Sequence, residues 1–142
     1  MTNEEKQLLL QDLCCRIPYR VKISVQSWDE EEQEYIDRVD VLYSVNGDEY
    51  IKSANEDYDF SIEDIKPYLL PMSSMSEEQR EEYESLCIKE TTECADLSGF
   101  FFTKDNYYDT VESFDWLNKN KFDYRGLIPK GIAIDATGKN IY

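Results

Sequence analysis

Two runs of alternating apolar and polar residues flank the dipeptide Asn46-Gly47, and this arrangement constrains the fold more than any other feature of the sequence. Asn-Gly is the strongest short signal for a β-hairpin, because both residues accept the positive φ angles of a type I′ turn. Residues 34–45 and 48–54 are therefore predicted to be paired antiparallel strands. Residues 20–27 alternate in the same way and predict a strand ahead of them.

Side-chain alternation also predicts which face of each strand is buried. In the first strand the inward side chains are expected to be Val21, Ile23 and Val25. In the second strand the phase of the apolar residues predicts the following inward set: Tyr35, Val39, Val41, Tyr43 and Val45. Asp37 is the exception within that phase.

Helix-capping patterns predict where the helices begin. Thr2 with Glu5 and Ser76 with Gln79 form capping boxes, which predict helices over about 3–16 and from 76 through about Lys89. A third helix is expected at about 109–121, with Val111, Phe114 and Leu117 on its buried face.

The remaining segments are less regular. A short helical turn is expected after Ser61, and Pro67 and Pro71 interrupt the segment that follows. Further short strands are expected at 97–103 and 131–135.

These elements predict an α+β fold, namely an antiparallel meander of about three to five strands packed with three helices. At 142 residues the chain is expected to form a single compact domain over 1–142. The predicted core is as follows: Leu10, Leu13, Val21, Ile23, Val39, Val41, Leu86, Phe114 and Leu117.

The charge of the chain limits its partners. It carries 31 Asp and Glu against 15 Lys and Arg, a net charge of −16, and residues 1–98 hold 25 of the acids but only 9 of the bases. Such a field repels nucleic acids and anionic membranes, so neither is predicted as a direct partner. A cytoplasmic location is expected, since the acidic N-terminus lacks the pattern of a signal peptide.

The acids cluster in two stretches, which are the predicted binding surface for a basic protein. The first, SWDEEEQEYIDRVDV (27–41), contributes these acids: Asp29, Glu30, Glu31, Glu32, Glu34, Asp37 and Asp40. The aromatic residues Trp28 and Tyr35 lie within it. The second stretch, on the helix after Ser76, contributes Glu77, Glu78, Glu81 and Glu82.

Sequence patterns of catalytic and metal sites are missing. The chain has no histidine, and its five scattered glycines fit no phosphate-binding loop. Cys14 and Cys15 are adjacent and Cys87 and Cys94 are seven apart, which is not the spacing of a zinc site. No catalytic residue, cofactor or metal is therefore predicted. The aromatic and basic segment 113–126 is expected to serve the core rather than to stack on nucleic acid.

Three segments carry a resemblance: LLLQDLCCRIPYRVKI (8–23), IEDIKPYLLPMSSMSEEQREEY (62–83) and DWLNKNKFDYRGLIPKGIAI (115–134). They resemble a family of small, acidic, uncharacterised proteins from phage and mobile-element DNA of gut anaerobes. Members of that family often have two histidines where this chain has Asn120 and Lys121. The resemblance implies a mobile-element setting, in which small acidic proteins often block host defence enzymes, and it transfers no active-site residue.

The sequence thus favours a non-enzymatic acidic protein-binding module. Such a module could act as a nucleic-acid mimic that inhibits a host defence nuclease or another DNA- or RNA-binding protein. The alternative is an immunity-type or accessory protein that neutralises one basic toxin. A small enzyme that uses carboxylates is a third interpretation, and the oligomeric state is left open.

Overall fold

A computed structural model describes residues 1–47 and 50–142, and within them the chain is α+β, as predicted. The described residues contain three α-helices: α1 (Asn3–Arg16), α2 (Glu77–Leu86) and α3 (Val111–Lys119). The strands are β1 (Lys22–Asp29), β2 (Glu34–Asn46), β3 (Tyr50–Ser53), β4 (Phe60–Ser61), β5 (Lys66–Pro71), β6 (Ile88–Ala95), β7 (Phe101–Tyr108), β8 (Phe122–Asp123) and β9 (Ile134–Asp135).

The chain divides into two compact units. The first comprises Met1–Ser74 and Asn118–Tyr142, and the second comprises Met75–Leu117. Each has its own sheet. That the whole chain behaves as one domain over 1–142 stays a prediction.

The first unit is built on a sheet whose strands are ordered β4-β3-β2-β1-β5-β8, with β9 also paired to β5. The strands are antiparallel except where β8 and β9 run parallel to β5. The predicted meander is therefore present as β1, β2 and β3, and it is the middle of a longer sheet. Of the third predicted strand, 48–54, the first two residues lie outside the described part of the chain.

Helix α1 begins at the predicted capping box. The Thr2 hydroxyl accepts a hydrogen bond from the Glu5 N–H, and the Glu5 carboxylate accepts one from the Thr2 N–H. The helix buries Leu9 and Leu13 completely in the core of the first unit. The predicted start and end of this helix are both confirmed.

A fully buried ion pair ties α1 to the segment around β8. Asp12 and Arg16 are both inaccessible to solvent, and the guanidinium donates to the two carboxylate oxygens at 2.8 and 2.9 Å. Arg16 also donates to the carbonyl of Phe122 at 2.7 Å. Its guanidinium and that of Arg125 lie 5.4 and 5.1 Å from the ring centre of Tyr124. The contacts of Phe122, Tyr124 and Arg125 agree with the predicted structural role of segment 113–126 in the C-terminal part of that segment.

The prediction of which β2 side chains face the core is wrong. Val39 is 47% exposed and Val41 is half-buried, whereas Asp40 and Leu42 are buried. Because the carboxylate of Asp40 is satisfied by internal hydrogen bonds, a polar residue can occupy the core face. A β-bulge between Leu42 and Ser44 then shifts the register of the strand against β3.

Strand β5 was not predicted, because Pro67 and Pro71 argue against a strand. Pro67 lies opposite Ile23 of β1 and lacks an N–H. The hydroxyl of Tyr142 accepts from the Lys22 N–H at 2.8 Å and donates to the Tyr68 carbonyl at 2.9 Å, so it bridges the two strands beside the proline. Removal of this hydroxyl from water raises the pKa of Tyr142 to about 12.

The second unit contains α2, the ribbon of β6 and β7, and most of α3. Helix α2 has the predicted Ser76–Gln79 capping box but ends at Leu86. The predicted strand 97–103 is wrong in its bounds, since β7 begins at Phe101, and β6 was not predicted. The carboxylate of Asp109 accepts hydrogen bonds from the hydroxyls of Tyr83 and Ser113 just before α3.

The predicted core is correct in part. Four of its residues are fully buried: Leu13, Val21, Ile23 and Leu117. Three are half-buried: Leu10, Val41 and Leu86. Two are exposed: Val39 and Phe114. The predicted buried face of α3 is correct for Leu117 but wrong for Val111 and Phe114, which are exposed, and Trp116 next to Leu117 is buried.

Candidate functional site

The turn between β1 and β2 presents a group of carboxylates. Asp29 and Glu34 form the last pair of the hairpin, and residues 30–33 connect them. The carboxylate of Asp29 accepts hydrogen bonds from the N–H groups of Glu31 and Glu32 at 3.0 and 3.3 Å. Asp29 therefore shapes the turn from a half-buried position, while the side chains of residues 30, 31, 32 and 34 are exposed.

Two aromatic rings lie directly behind this acidic turn. Trp28 and Tyr35 are opposite each other in the hairpin, with ring centres 5.2 Å apart in an edge-to-face arrangement. They remain 49% and 67% exposed. Such a preorganised, uncovered aromatic pair offers a contact surface for a cation or an apolar group.

The same face continues toward the middle of the sheet. Asp37 lies opposite Gln26, the next outward pair after Trp28 and Tyr35, and it is exposed. Outward pairs along a strand are about 7 Å apart. The carboxylate of Asp37 therefore belongs to the same surface as the aromatic pair.

Asp40 does not belong to this surface, so its prediction as a partner-binding residue is wrong. It is 5% exposed and faces the core side of β2. Its carboxylate accepts hydrogen bonds from the backbone N–H groups of Val41 and Asn55, at 2.7 and 3.1 Å, and from the Asn55 side chain at 2.7 Å. Burial alone would raise the pKa of Asp40, but the hydrogen bonds to its carboxylate hold the pKa below its usual range.

A cavity of about 350 Å³ opens on the outward face next to Asp37. Ser24 and Gln26 form its floor from β1, and three carboxylates stand against one lysine in its lining: Asp37, Glu63, Asp64 and Lys66. Lys6 lies 2.9 Å from Glu63, and its hydrogen bond and charge lower the pKa of Glu63. Its volume is large enough for one long side chain. Because carboxylates outnumber lysines in the lining, a positively charged side chain is favoured.

Sequence reasoning missed three of these cavity residues. Glu63 and Asp64 lie in a 3₁₀ turn, Ile62–Asp64, whose start at Ser61 the sequence did predict. They reach the site only because β5 pairs with β1, with Lys66 opposite Ser24. The cap at Ser61 was the sequence signal for the turn. The strand that positions the turn, β5, was not predicted because it contains two prolines.

The second acidic stretch lies in the other unit. Glu77, Glu78, Glu81 and Glu82 are all exposed on α2. Their repulsion at four-residue spacing is relieved only in the first turn, where the helix dipole favours negative charge. The four carboxylates form one charged helix face within the second unit.

Comparisons of the chain with protein-family models, with curated proteins and with solved structures gave no match. The family resemblance of the three segments therefore stays an expectation. In residues 1–47 and 50–142 no helix is long and apolar enough to cross a membrane. Over the same residues no three potential ligands come together as a metal site, and Cys14, Cys15, Cys87 and Cys94 are free thiols. Function is thus inferred from the chemistry of the outward face of β1 and β2.

Proposed function

We propose that this protein is a non-enzymatic binding module that recognises a basic surface of another protein, of the kind that otherwise binds nucleic acid. One observation carries the proposal. The exposed pair Trp28–Tyr35 and the acid-lined cavity at Asp37 share the outward face of the β1–β2 hairpin, and the acidic turn at 29–34 lies at the end of that hairpin, directly beyond the aromatic pair. A host defence nuclease is the partner class that the mobile-element resemblance would suggest.

Each part of this face has a separate task in such a complex. The turn carboxylates attract a positive surface over a distance of about one Debye length, some 8 Å at physiological salt. An arginine of the partner can then stack on Trp28 and Tyr35, since its planar guanidinium binds aromatic faces. A second cationic side chain can enter the cavity and pair with Asp37 or Asp64.

An immunity-type protein that neutralises one basic toxin is the second candidate. The cavity favours it, because an opening for a single side chain suits a narrow epitope better than a long nucleic-acid groove does. The two candidates differ in one observable. Duplex DNA or RNA competes with the protein for a nucleic-acid-binding partner and does not compete for a toxin whose target is something else.

The experiment compares two neutralised variants of equal charge change. The hairpin variant carries Glu30→Gln, Glu31→Gln, Glu32→Gln and Asp37→Asn. The matched control neutralises four acids of the second unit that are not in the predicted binding surface: Glu84→Gln, Glu90→Gln, Glu112→Gln and Asp115→Asn. Immobilised wild-type protein is expected to capture a basic protein from cells that carry defence systems, and duplex DNA is expected to displace it.

The captured protein is then purified and its binding kinetics are measured. The hairpin variant should associate at least about tenfold more slowly at low salt, with little change in the dissociation rate. The control variant should bind like the wild type. If both variants associate equally fast, the acidic turn is only a solvated edge and the proposal fails.

A further inference from the structure

The ribbon of β6 and β7 leaves large apolar side chains uncovered. Ile88 is 60% exposed and Phe101 is 84% exposed, and Phe102, Tyr107 and Tyr108 are exposed as well. An isolated two-stranded sheet is marginally stable in water, and it is stabilised by further strands or by packing against a helix. An uncovered apolar ribbon of this kind marks an interaction site.

One edge of the ribbon has hydrogen-bonding groups that point outward. The N–H of Asp96 donates to the carbonyl of Phe100 at 2.9 Å, inside the ribbon. Because the direction of the peptide groups alternates along an antiparallel strand, those of Lys89, Thr91 and Glu93 point away from β7. Since β6 and β7 form a two-stranded sheet, these groups line its open edge in the described structure.

The side chains of β6 are complementary to those of β6 in a second copy. In an antiparallel ladder with a two-fold axis at Thr91, Thr91 lies opposite its own equivalent. Lys89 then lies opposite Glu93 of the second copy, and Glu93 opposite its Lys89. Opposite charges in directly facing positions stabilise a sheet, and the symmetry supplies this pair twice.

The same register continues the apolar residues across both ribbons. Ile88 faces Tyr108 within the ribbon, and Cys94 faces Phe102. With the axis at Thr91, Ile88 comes to face Cys94 of the second copy. One row across four strands therefore reads Tyr108 and Ile88 from one copy, then Cys94 and Phe102 from the other, and the two-fold axis repeats it.

The edge of β7 lacks this complementarity. Lys104 and Asp105 occupy its centre, so a symmetric pairing over its full length would set Lys104 against Lys104 or Asp105 against Asp105. Charge also favours the ribbon as the meeting surface of two acidic chains. Residues 88–108 hold four acids (Glu90, Glu93, Asp96 and Asp105) and two lysines (Lys89 and Lys104), a net of −2 out of −16.

We propose that the chain forms a homodimer in which β6 pairs with β6 of a second copy around a two-fold axis at Thr91. The result is a four-stranded antiparallel sheet in the order β7-β6-β6-β7. Three outward-pointing pairs, each exchanging two hydrogen bonds, give about six backbone bonds across the axis. This proposal stands independently of the acidic face of the first unit.

The first test uses charge reversal and sedimentation equilibrium of the full chain at about 0.15 M salt. Lys89→Glu and Glu93→Lys each set like charges opposite each other at both symmetric positions, so each should weaken the dimer at least about tenfold. The double variant reverses both members of the pair and should return to within about threefold of the wild type. Glu93→Lys lowers the net negative charge, so its weakening cannot come from general repulsion.

The second test removes one outward N–H from each edge. Thr91→Pro should abolish the dimer and leave the β6–β7 ladder intact, since proline is tolerated where the N–H faces outward. Thr103, opposite Glu93, has its N–H on the outer edge of β7, so Thr103→Pro is the matched control and should dimerise normally. Circular dichroism shows whether each variant folds. If Thr91→Pro does not fold, the charge-reversal series alone tests the dimer. A wild type that stays monomeric at millimolar concentration, or a dimer lost only with Thr103→Pro, overturns the proposal.

Discussion

Single buried polar residues determine much of how this chain packs. Asp12, Arg16 and Asp40 are almost without solvent contact, and each takes part in at least two hydrogen bonds. Hydrophobic patterning does not reveal such residues, because it treats every charged side chain as an exposed one. Two predictions concern their energetic roles.

Loss of the Asp12 carboxylate should destabilise the protein strongly. Asp12→Ala leaves the buried guanidinium of Arg16 without its counter-charge, which typically costs about 3–5 kcal/mol. Urea unfolding followed by circular dichroism measures the difference. The paired replacement Asp12→Leu with Arg16→Met should cost much less, because it removes both charges. Equal losses in the two variants would show that the ion pair contributes nothing beyond packing.

The contribution of Asp40 should depend on pH. Its folded-state pKa is lowered, so the ionised form stabilises the fold above the unfolded-state pKa of about 4, and this stability is lost as pH falls through the folded-state value. Asp40→Asn should therefore be less stable than the wild type by about 1–3 kcal/mol at pH 7. The gap should narrow below about pH 4. If the difference in unfolding free energy between the wild type and Asp40→Asn did not change with pH, ionised Asp40 would not be what stabilises the fold.

At the scale of elements, local signals predicted the structure better than patterns that depend on distant partners. The capping boxes at Thr2 and Ser76 fix where α1 and α2 start, because the partners lie within one turn. The phase of β2 failed because Asp40 finds its partner in Asn55, fifteen residues away, which no local pattern shows. The acidic turn was predictable from its composition, whereas the cavity beside it depends on the pairing of β5 with β1.

The corrected phase of β2 predicts unequal effects of two neighbouring substitutions. Val39→Thr should change the free energy of unfolding by less than about 0.5 kcal/mol, because Val39 is exposed. Leu42→Ala should cost about 2–5 kcal/mol, because Leu42 lies in the core of the first unit. Chemical denaturation of the two variants compares them directly. If Val39→Thr lost more unfolding free energy than Leu42→Ala, Val39 would face the core, as the sequence predicted.

The whole molecule consists of two acidic units of unequal size. The unit 75–117 holds 12 acids and 3 bases, and the remainder of the chain holds 19 acids and 12 bases, so the net charges are −9 and −7. A unit of 43 residues with an exposed ribbon is close to the size of about 40 residues below which a domain seldom folds without additional support. One domain over 1–142 was predicted from the length of the chain, and length does not show the boundaries at 75 and 118.

We therefore expect the full chain to unfold in a single transition. Segment 75–117, expressed alone, should be largely unfolded at micromolar concentration. Differential scanning calorimetry of the full chain and circular dichroism of the segment check both statements. Two separate heat-absorption peaks, or a folded isolated segment, would show that the units are independent domains.

The two tryptophans give each unit its own optical probe. Trp28 is half exposed beside the acidic turn of the first unit, and Trp116 is buried in the second. Single Trp→Phe variants therefore separate their fluorescence. Because the surrounding carboxylates repel anions and attract cations, the ratio of caesium quenching to iodide quenching should be higher for Trp28 than for free N-acetyltryptophanamide at equal ionic strength, and high salt should bring the two ratios together. Trp116 should be insensitive to both ions, so the contrast reports the local potential at the candidate surface without any binding partner.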